Sequence, residues 1–99
     1  MTDCTFSNNV ATASNGGGII NINAGVATVT GCRFLQNIAG TGGGGMYNHN
    51  SSPIVTGCSF TENEGGGMVS VVNSSPIVVN CTFTANVGTN GGGWLNDLG

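Results

Sequence analysis

Hydrophobic and polar residues alternate over short stretches of this chain and do not recur with the spacing of an amphipathic helix. Alternation is typical of strands, in which successive side chains point to opposite faces. Three such stretches follow one another in the middle of the chain: Met46-Tyr47-Asn48-His49, Ile54-Val55 and Cys58-Ser59-Phe60. Glycine triplets recur along the chain, and each glycine would cost about 1 kcal/mol inside a helix. We therefore predict a structure built from strands.

A motif, Cys-x-Phe-x-x-Asn, occurs four times, with its cysteines 28, 26 and 23 residues apart. Its residues are Cys4, Phe6 and Asn9; Cys32, Phe34 and Asn37; Cys58, Phe60 and Asn63; and Cys81, Phe83 and Asn86. Each motif is followed by a glycine triplet, at residues 16–18, 43–45, 65–67 and 91–93. The stretch from a triplet to the next cysteine is nearly constant, whereas the stretch from the asparagine to the triplet varies. A period of this length is typical of stacked repeat architectures.

Stacking the repeats pairs each strand with its copy one turn later, about 4.8 Å away. We therefore predict an all-β fold, a single-stranded parallel β-helix (solenoid) of about four coils of 23–28 residues with three strands per coil. The residue before each cysteine is of a type that tolerates left-handed backbone, which fits a tight corner. Alternation points the cysteines and phenylalanines inward and leaves Thr5, Arg33, Ser59 and Thr82 outward.

Polar residues also recur in register. The asparagine of each motif is expected to satisfy backbone groups at the corner after the third strand. A second polar row lies in the first strand of each coil, the strand that follows the glycine triplet. It stands two positions after the inward residue of that strand and is also expected to be structural: Asn21, Asn48, Ser70 and Asn96.

The four cysteines leave three interpretations: a zinc site, disulfides or buried thiols. Each cysteine belongs to a different coil, and their spacing matches no Cys-x-x-Cys zinc pattern. In-register neighbours have parallel Cα–Cβ vectors, which suit a disulfide poorly. We favour a stack of buried thiols. Two disulfides between coils stay open as the alternative, so the cysteines do not settle the redox compartment.

The composition restricts the partners. Of the 99 residues, 52 are Gly, Asn, Thr or Ser and 23 are Leu, Ile, Val or Phe, so the core is thin. One Arg, no Lys and four acids give a net charge of −3, which disfavours nucleic acid and anionic membranes as partners. No apolar run is long enough to span a membrane. The sequence after Met1 does not have the pattern of an export signal.

Ionisable side chains are too few and too scattered to predict an enzyme. Besides the thiols and Tyr47, they are Asp3, Arg33, His49, Glu62, Glu64 and Asp97. Hydrolysis of a glycosidic bond needs two carboxylates across the bond, and calcium needs six or more oxygen ligands. The glycine triplets lack the Lys and Ser or Thr of a phosphate-binding loop. We predict no catalytic, cofactor-binding or metal-binding residues.

The repeats resemble the right-handed parallel β-helices of the pectate-lyase-like superfamily, and most closely the repeats of chlamydial-type polymorphic outer-membrane proteins. The hallmarks of those repeats are Phe-x-x-Asn, as in Phe34-Leu35-Gln36-Asn37, and Gly-Gly-Ala followed by an apolar residue. Here a third glycine replaces the alanine, as in Gly43-Gly44-Gly45-Met46. The resemblance implies a right-handed solenoid and a secreted or cell-surface, adhesin-like module, although a fold alone does not assign a function.

The outward side of the first strand in each coil is unusually apolar. Contiguous exposed apolar surface tends to mark a partner site, and the resemblance implies that ligands lie on this side. Alternatively, the variable loops or another copy of the chain cover it. The candidate binding face consists of Ile20, Tyr47, His49, Val69, Val71 and Leu95.

We expect one β-helix domain, residues 1–99, that opens inside a third strand at Cys4 and stops after a first strand at Leu95-Asn96-Asp97. Its terminal coils would then be incomplete and uncapped. Solenoids generally need caps, because an open coil presents unpaired strand edges. Either the chain is a piece of a longer solenoid or its copies associate.

The expected function is a non-catalytic structural or binding scaffold that forms homo-oligomers through its coil ends or its apolar face, with a saccharide or a protein as candidate ligand. One alternative is a carbohydrate-binding or carbohydrate-active fragment of a pectate-lyase-like protein. A third is an ice-binding solenoid, because outward hydroxyl pairs such as Thr82/Thr84 approach a flat array that Arg33 and Leu35 interrupt.

Overall fold

The computed structural model describes residues 1–12, 16–40, 42–88 and 93–97, and it places 13 strands in them. All strand pairings in this part of the chain are parallel. The strands are β1 Thr5–Ser7, β2 Val10–Ala11, β3 Ile19–Gly25, β4 Thr28–Thr30, β5 Arg33–Leu35, β6 Ile38–Ala39, β7 Met46–Ser51, β8 Ile54–Thr56, β9 Ser59–Thr61, β10 Met68–Val71, β11 Ile77–Val79, β12 Thr82–Thr84 and β13 Trp94–Asp97.

Three sheets run along the stack of coils. The first sheet contains β3, β7, β10 and β13, the second contains β4, β8 and β11, and the third contains β1, β5, β9 and β12. Neighbours within a sheet are equivalent strands of successive coils, so that Phe34 pairs with Phe6 on one side and with Phe60 on the other. The predicted parallel solenoid is confirmed. The three predicted strands of the central coil correspond to β7, β8 and β9, with their ends moved by one or two residues.

A fourth, very short ladder follows the asparagine of each motif. Strand β2 pairs with β6, and isolated bridges continue the ladder from Ile38 to Glu64 and from Glu64 to Val87. This ladder was not predictable from the sequence, because a segment of one or two residues is too short for alternation to show.

Residues 1–3 pair with the second sheet. Thr2 forms a bridge with Thr30, and the backbone N–H of Thr30 donates to the Met1 carbonyl at 2.9 Å. The described residues therefore make four turns, in each of which a second-sheet segment precedes a third-sheet strand and a first-sheet strand. This differs from the expected opening inside a third strand, because residues 1–3 show no alternation that would mark them as a paired segment.

Left-handed residues form the predicted corner before each cysteine. Their φ angles are 53° at Asp3, 63° at Gly31, 62° at Gly57 and 54° at Asn80. A second left-handed corner, with φ between 53° and 57°, precedes the asparagine of each motif at Asn8, Gln36, Glu62 and Ala85. Left-handed backbone costs about 1–2 kcal/mol for an ordinary side chain. The contacts of the following asparagine must therefore hold the second corner in place.

Inward side chains form a narrow core along the axis. Phe34, Phe60, Met46, Met68 and Val55 are 0% exposed. Successive phenylalanine rings are nearly parallel, with centroids 5.1, 4.6 and 4.7 Å apart. Each ring therefore contacts its copies in the adjacent coils, and the core has the same cross-section from coil to coil.

Candidate functional site

A row of asparagines joins the coils at the corner after the third sheet. The backbone N and the Nδ2 of Asn37 lie 3.0 and 3.1 Å from the Oδ1 of Asn63, and both donate to it. Asn63 donates in the same way to Asn86, and its Nδ2 also donates to the carbonyl of Phe34 at 3.0 Å. Asn37 and Asn63 are 0% exposed. The amides thus satisfy buried backbone groups that a turn would otherwise leave without partners.

The asparagine row has a direction. At one end, Asn9 donates its backbone N–H and its Nδ2 to the Oδ1 of Asn37, and its own Oδ1 accepts no hydrogen bond from the described residues. At the other end, the Nδ2 of Asn86 donates to the Phe60 carbonyl at 2.8 Å, and the backbone N–H of Asn86 has no partner in the described part of the chain. One end therefore presents an acceptor and the other presents donors.

The stack has two end faces, where inner residues become accessible. We call the edge formed by β1 and β2 the N-end face and the edge formed by β11 and β12 the C-end face. On the N-end face, Cys4 is exposed and Phe6 is half-buried, whereas Cys32 and Phe34 one coil deeper are 0% exposed. On the C-end face, Cys81 is half-buried.

The second polar row lies inside the first sheet. The Nδ2 of Asn21 donates to the Oδ1 of Asn48 at 2.9 Å, and the Nδ2 of Asn48 donates to the Oγ of Ser70 at 3.1 Å. Asn48 and Ser70 are 0% exposed. The side chain of Asn96, the fourth predicted member, lies outside the described part.

All four cysteines are free thiols. The Sγ of Cys58 lies 3.4 Å from the Thr56 carbonyl and 3.5 Å from the Val29 carbonyl, which share its single S–H as acceptors, and it accepts the backbone N–H of Cys32 at 3.4 Å. Burial raises the pKa of the Cys58 thiol above its ordinary value of 9.0, against the opposing effect of the Cys32 N–H. The Cys58 thiol is therefore a neutral, polar filler of the core.

The four thiols are expected to react with iodoacetamide at different rates in the folded protein. Cys4 is exposed and should react first, whereas Cys32 and Cys58, at 0% and 2% exposure, should react only when coils open. Folding raises the pKa of Cys58 above its ordinary value of 9.0. The protonated Cys58 thiol therefore contributes fully to the stability of the fold below pH 9.0, and this contribution is lost as the pH rises through the pKa of the folded state. Labelling of Cys58 should therefore accelerate in that alkaline range. Peptide mass spectrometry measures each rate, and equal rates for Cys4 and Cys58 at pH 7 would contradict the expectation.

The candidate binding face on the first sheet is only partly open. Ile20 is 44% exposed, and Tyr47, His49 and Val71 are half-buried. The Nδ1 of His49 is buried and has no hydrogen-bond partner among the described residues. The side chain of Leu95 lies outside the described part.

Val69 does not belong to the exposed part of this face, since it is only 7% exposed. The loop before the second glycine triplet covers it: a Cβ built on Gly42 would lie 3.6 Å from a methyl group of Val69. Of the two alternatives for this face, coverage by a variable loop is the one that holds at Val69. Strand alternation carries no information on the path of such a loop, so the burial of Val69 was not predictable from the sequence.

An open groove of about 520 Å³ lies along the fourth ladder. It is lined by Thr12, Ile38, Ala39, Gly40, Glu64, Gly65, Val87 and Gly88. This lining is mostly apolar, with Glu64 as its carboxylate. Sequence reasoning missed the groove, and the variable length after each motif asparagine was the signal that pointed to this side of the coil.

Charged side chains lie apart on the described surface. Arg33 is exposed on the third sheet in register with Thr5 and Ser59, so it interrupts the row of hydroxyls there. The Nε2 of Gln36 donates to the Oε1 of Glu62 at 3.3 Å. Within residues 1–12, 16–40, 42–88 and 93–97, no three His, Cys, Asp or Glu side chains come together as metal ligands. The same residues contain no helix of the length and hydrophobicity needed to cross a bilayer.

Comparison with known proteins gives one match. A family model described as a right-handed β-helix region matches residues 1–97. No curated protein and no solved structure shows significant similarity to the chain. The matched range includes all four Cys-x-Phe-x-x-Asn motifs and all the parallel sheets described above. The chain therefore belongs to the right-handed β-helix family.

Proposed function

We propose that this protein is a non-catalytic β-solenoid scaffold that associates with further copies of itself through its end faces. The supporting observation is that the inner rows of side chains reach both faces. Cys4 and Phe6 are accessible on the N-end face, although their equivalents one coil deeper are 0% exposed. Unpaired strand edges and an open core recruit further strands unless something covers them.

An inner junction between coils shows the contacts that a second copy would supply. Between the second and third coils, three sheets pair in register, two amide hydrogen bonds join Asn37 to Asn63, and the rings of Phe34 and Phe60 stack at 4.6 Å. The edge strands of an end face make these contacts with the coil inside the stack, and their outer side is free to make the same contacts with another copy. Covering it with another coil buries apolar surface and satisfies backbone groups together.

Self-association is expected to appear as a molar mass that rises with concentration. Light scattering after size-exclusion chromatography should give values above the monomer mass of 9.8 kDa, falling toward it on dilution. Far-UV circular dichroism at each concentration should show the same β-sheet spectrum, which excludes unfolding as the cause. A monomer at every concentration would contradict the proposal.

The second candidate is an adhesin-like role in which the first-sheet face binds a saccharide. It is favoured by Tyr47 and His49, which lie side by side in β7 as outward, half-buried residues. A sugar presents both an apolar ring face and hydroxyl donors, which suit an aromatic ring and an imidazole nitrogen.

A further inference from the structure

We infer that copies join head to tail, with the C-end face of one copy on the N-end face of the next, and so form an open-ended polymer and not a closed dimer. This inference rests on the proposed function and names the partner surface. It follows from three properties of the end faces: the direction of the asparagine row, the equivalence of the residue rows and the common direction of the strands.

The hydrogen-bonding groups at the two ends of the asparagine row complement each other, whereas two faces of the same kind would present the same groups. The N-end face presents the Oδ1 of Asn9 as an acceptor, and the C-end face presents the backbone N–H of Asn86 as a donor. At every inner junction a backbone N–H and an Nδ2 donate to an Oδ1 one coil later. Asn86 of one copy can repeat that contact with Asn9 of the next.

The remaining rows continue across the same junction. Cys81 and Thr82 on the C-end face are of the types that Cys4 and Thr5 present on the N-end face. Inside the stack, residues at these positions already pair in register, as Thr5 does with Arg33 and Thr82 with Ser59. A second copy whose first coil lies one coil spacing beyond the last coil of its neighbour therefore meets an edge of the shape that each inner coil meets.

A junction between two identical faces lacks these contacts. All strands of a sheet run in one direction, and a two-fold axis between two N-end faces would reverse them across the junction. Each of the two N-end faces would also present the Oδ1 of Asn9 as an acceptor, and neither would present the backbone N–H of Asn86. A head-to-tail junction leaves one face of each kind free after every addition, so growth along the axis does not close.

Two variants, each blocking one face, separate the arrangements. Cys4→Arg places a charge on the N-end face, and Cys81→Arg places one on the C-end face, where the open edge lets the side chain reach water. Thr28→Arg and Thr61→Arg are the controls, because they add the same charge at outward positions of the second and third coils, away from both end faces. Circular dichroism and a thermal melt establish that each variant folds.

In the head-to-tail arrangement each blocked variant alone should be a monomer, and an equimolar mixture should form a dimer of one copy of each. Native mass spectrometry distinguishes this heterodimer from homodimers by mass. The controls should associate like the unmodified chain. Homodimers of either blocked variant, with no heterodimer in the mixture, would overturn the inference and leave the proposed function standing. Loss of association in the controls would overturn both, since it would place the contact on a lateral face.

Alkylation of the unmodified chain provides a test that does not depend on variant folding. In head-to-tail association Cys4 and Cys81 enter the same junction, so raising the concentration should slow their labelling by the same factor. Slowing of one alone would indicate a junction between identical faces and overturn the inference. No slowing of either cysteine, together with a monomeric mass, would instead remove the proposed function on which it rests.

Discussion

Replacing Asn63 with Ala is expected to lower the free energy of unfolding by roughly 2–6 kcal/mol. The Oδ1 of Asn63 accepts two hydrogen bonds from Asn37, and its Nδ2 donates to the carbonyl of Phe34 and to Asn86. Alanine leaves the Asn37 N–H and the Phe34 carbonyl buried without these partners, and each such group costs about 1–3 kcal/mol. The loss is large compared with a typical total of about 5–15 kcal/mol.

Urea denaturation followed by circular dichroism measures this loss as a lower transition midpoint. Gln36→Ala is the control, because Gln36 is exposed and its side chain makes one exposed hydrogen bond, to Glu62. Its effect should stay within about 0.5 kcal/mol. A loss below about 1 kcal/mol for Asn63→Ala would mean that the row does not hold the corner.

Replacing Gly45 with Ala is expected to destabilise the fold by more than the usual cost of overpacking, which is about 1–3 kcal/mol. The added Cβ would collide with the Gly67 carbonyl oxygen and lie 2.7 Å from Cδ2 of Phe60. Neither neighbour can withdraw easily. The carbonyl accepts the Met46 N–H at 2.9 Å, and the ring of Phe60 is held between two other rings at 4.6 and 4.7 Å.

Gly57→Ala is the matched control for this substitution. Gly57 has a φ of 62°, and a Cβ there would have its nearest neighbour at 4.0 Å, so alanine costs only the left-handed backbone strain of about 1–2 kcal/mol. Gly57→Asn should cost less still, because Asn80 occupies the equivalent corner. The urea midpoint should therefore be highest for Gly57→Asn, lower for Gly57→Ala and lowest for Gly45→Ala. A reversal of the last two would contradict the steric account.

The same geometry explains why these triplets depart from the Gly-Gly-Ala pattern. At Gly18, Gly45 and Gly67, the third glycines of their triplets, an added Cβ would meet a carbonyl oxygen of the next coil. The coils are stacked too closely here for alanine. Membership in the right-handed β-helix family is shown by the whole-chain match, whereas the narrower likeness to outer-membrane repeats stays a prediction from motifs.

The repeat made the architecture predictable from sequence, because in-register stacking places like residues next to one another. Once Cys58 and Phe60 are assigned to one strand, the spacing assigns their equivalents to its neighbours. The left-handed corner before each cysteine was predictable as well, since Asp, Gly and Asn tolerate that backbone.

The features that were not predictable from the sequence have no signal in residue type or in strand alternation. Gln36, Glu62 and Ala85 adopt left-handed backbone although their residue types give no signal for it. Val69 is buried by a loop near Gly42 that belongs to the variable part of the chain. Alternation describes which face of a strand a residue lies on, but it does not describe what passes over that face.

The uniform inner rows also affect how the coils stack in the correct order during folding. Each coil has Cys, Phe and Asn at equivalent positions, so any coil can make these contacts with any other. The rows therefore stabilise the stack without specifying which coil lies next to which. Connectivity and the departures from the repeat, such as Arg33 on the third sheet or Pro53 and Pro76 before the second-sheet strands, distinguish one neighbour from another. During refolding, slipped stacks and coils exchanged between chains therefore compete closely with the native order.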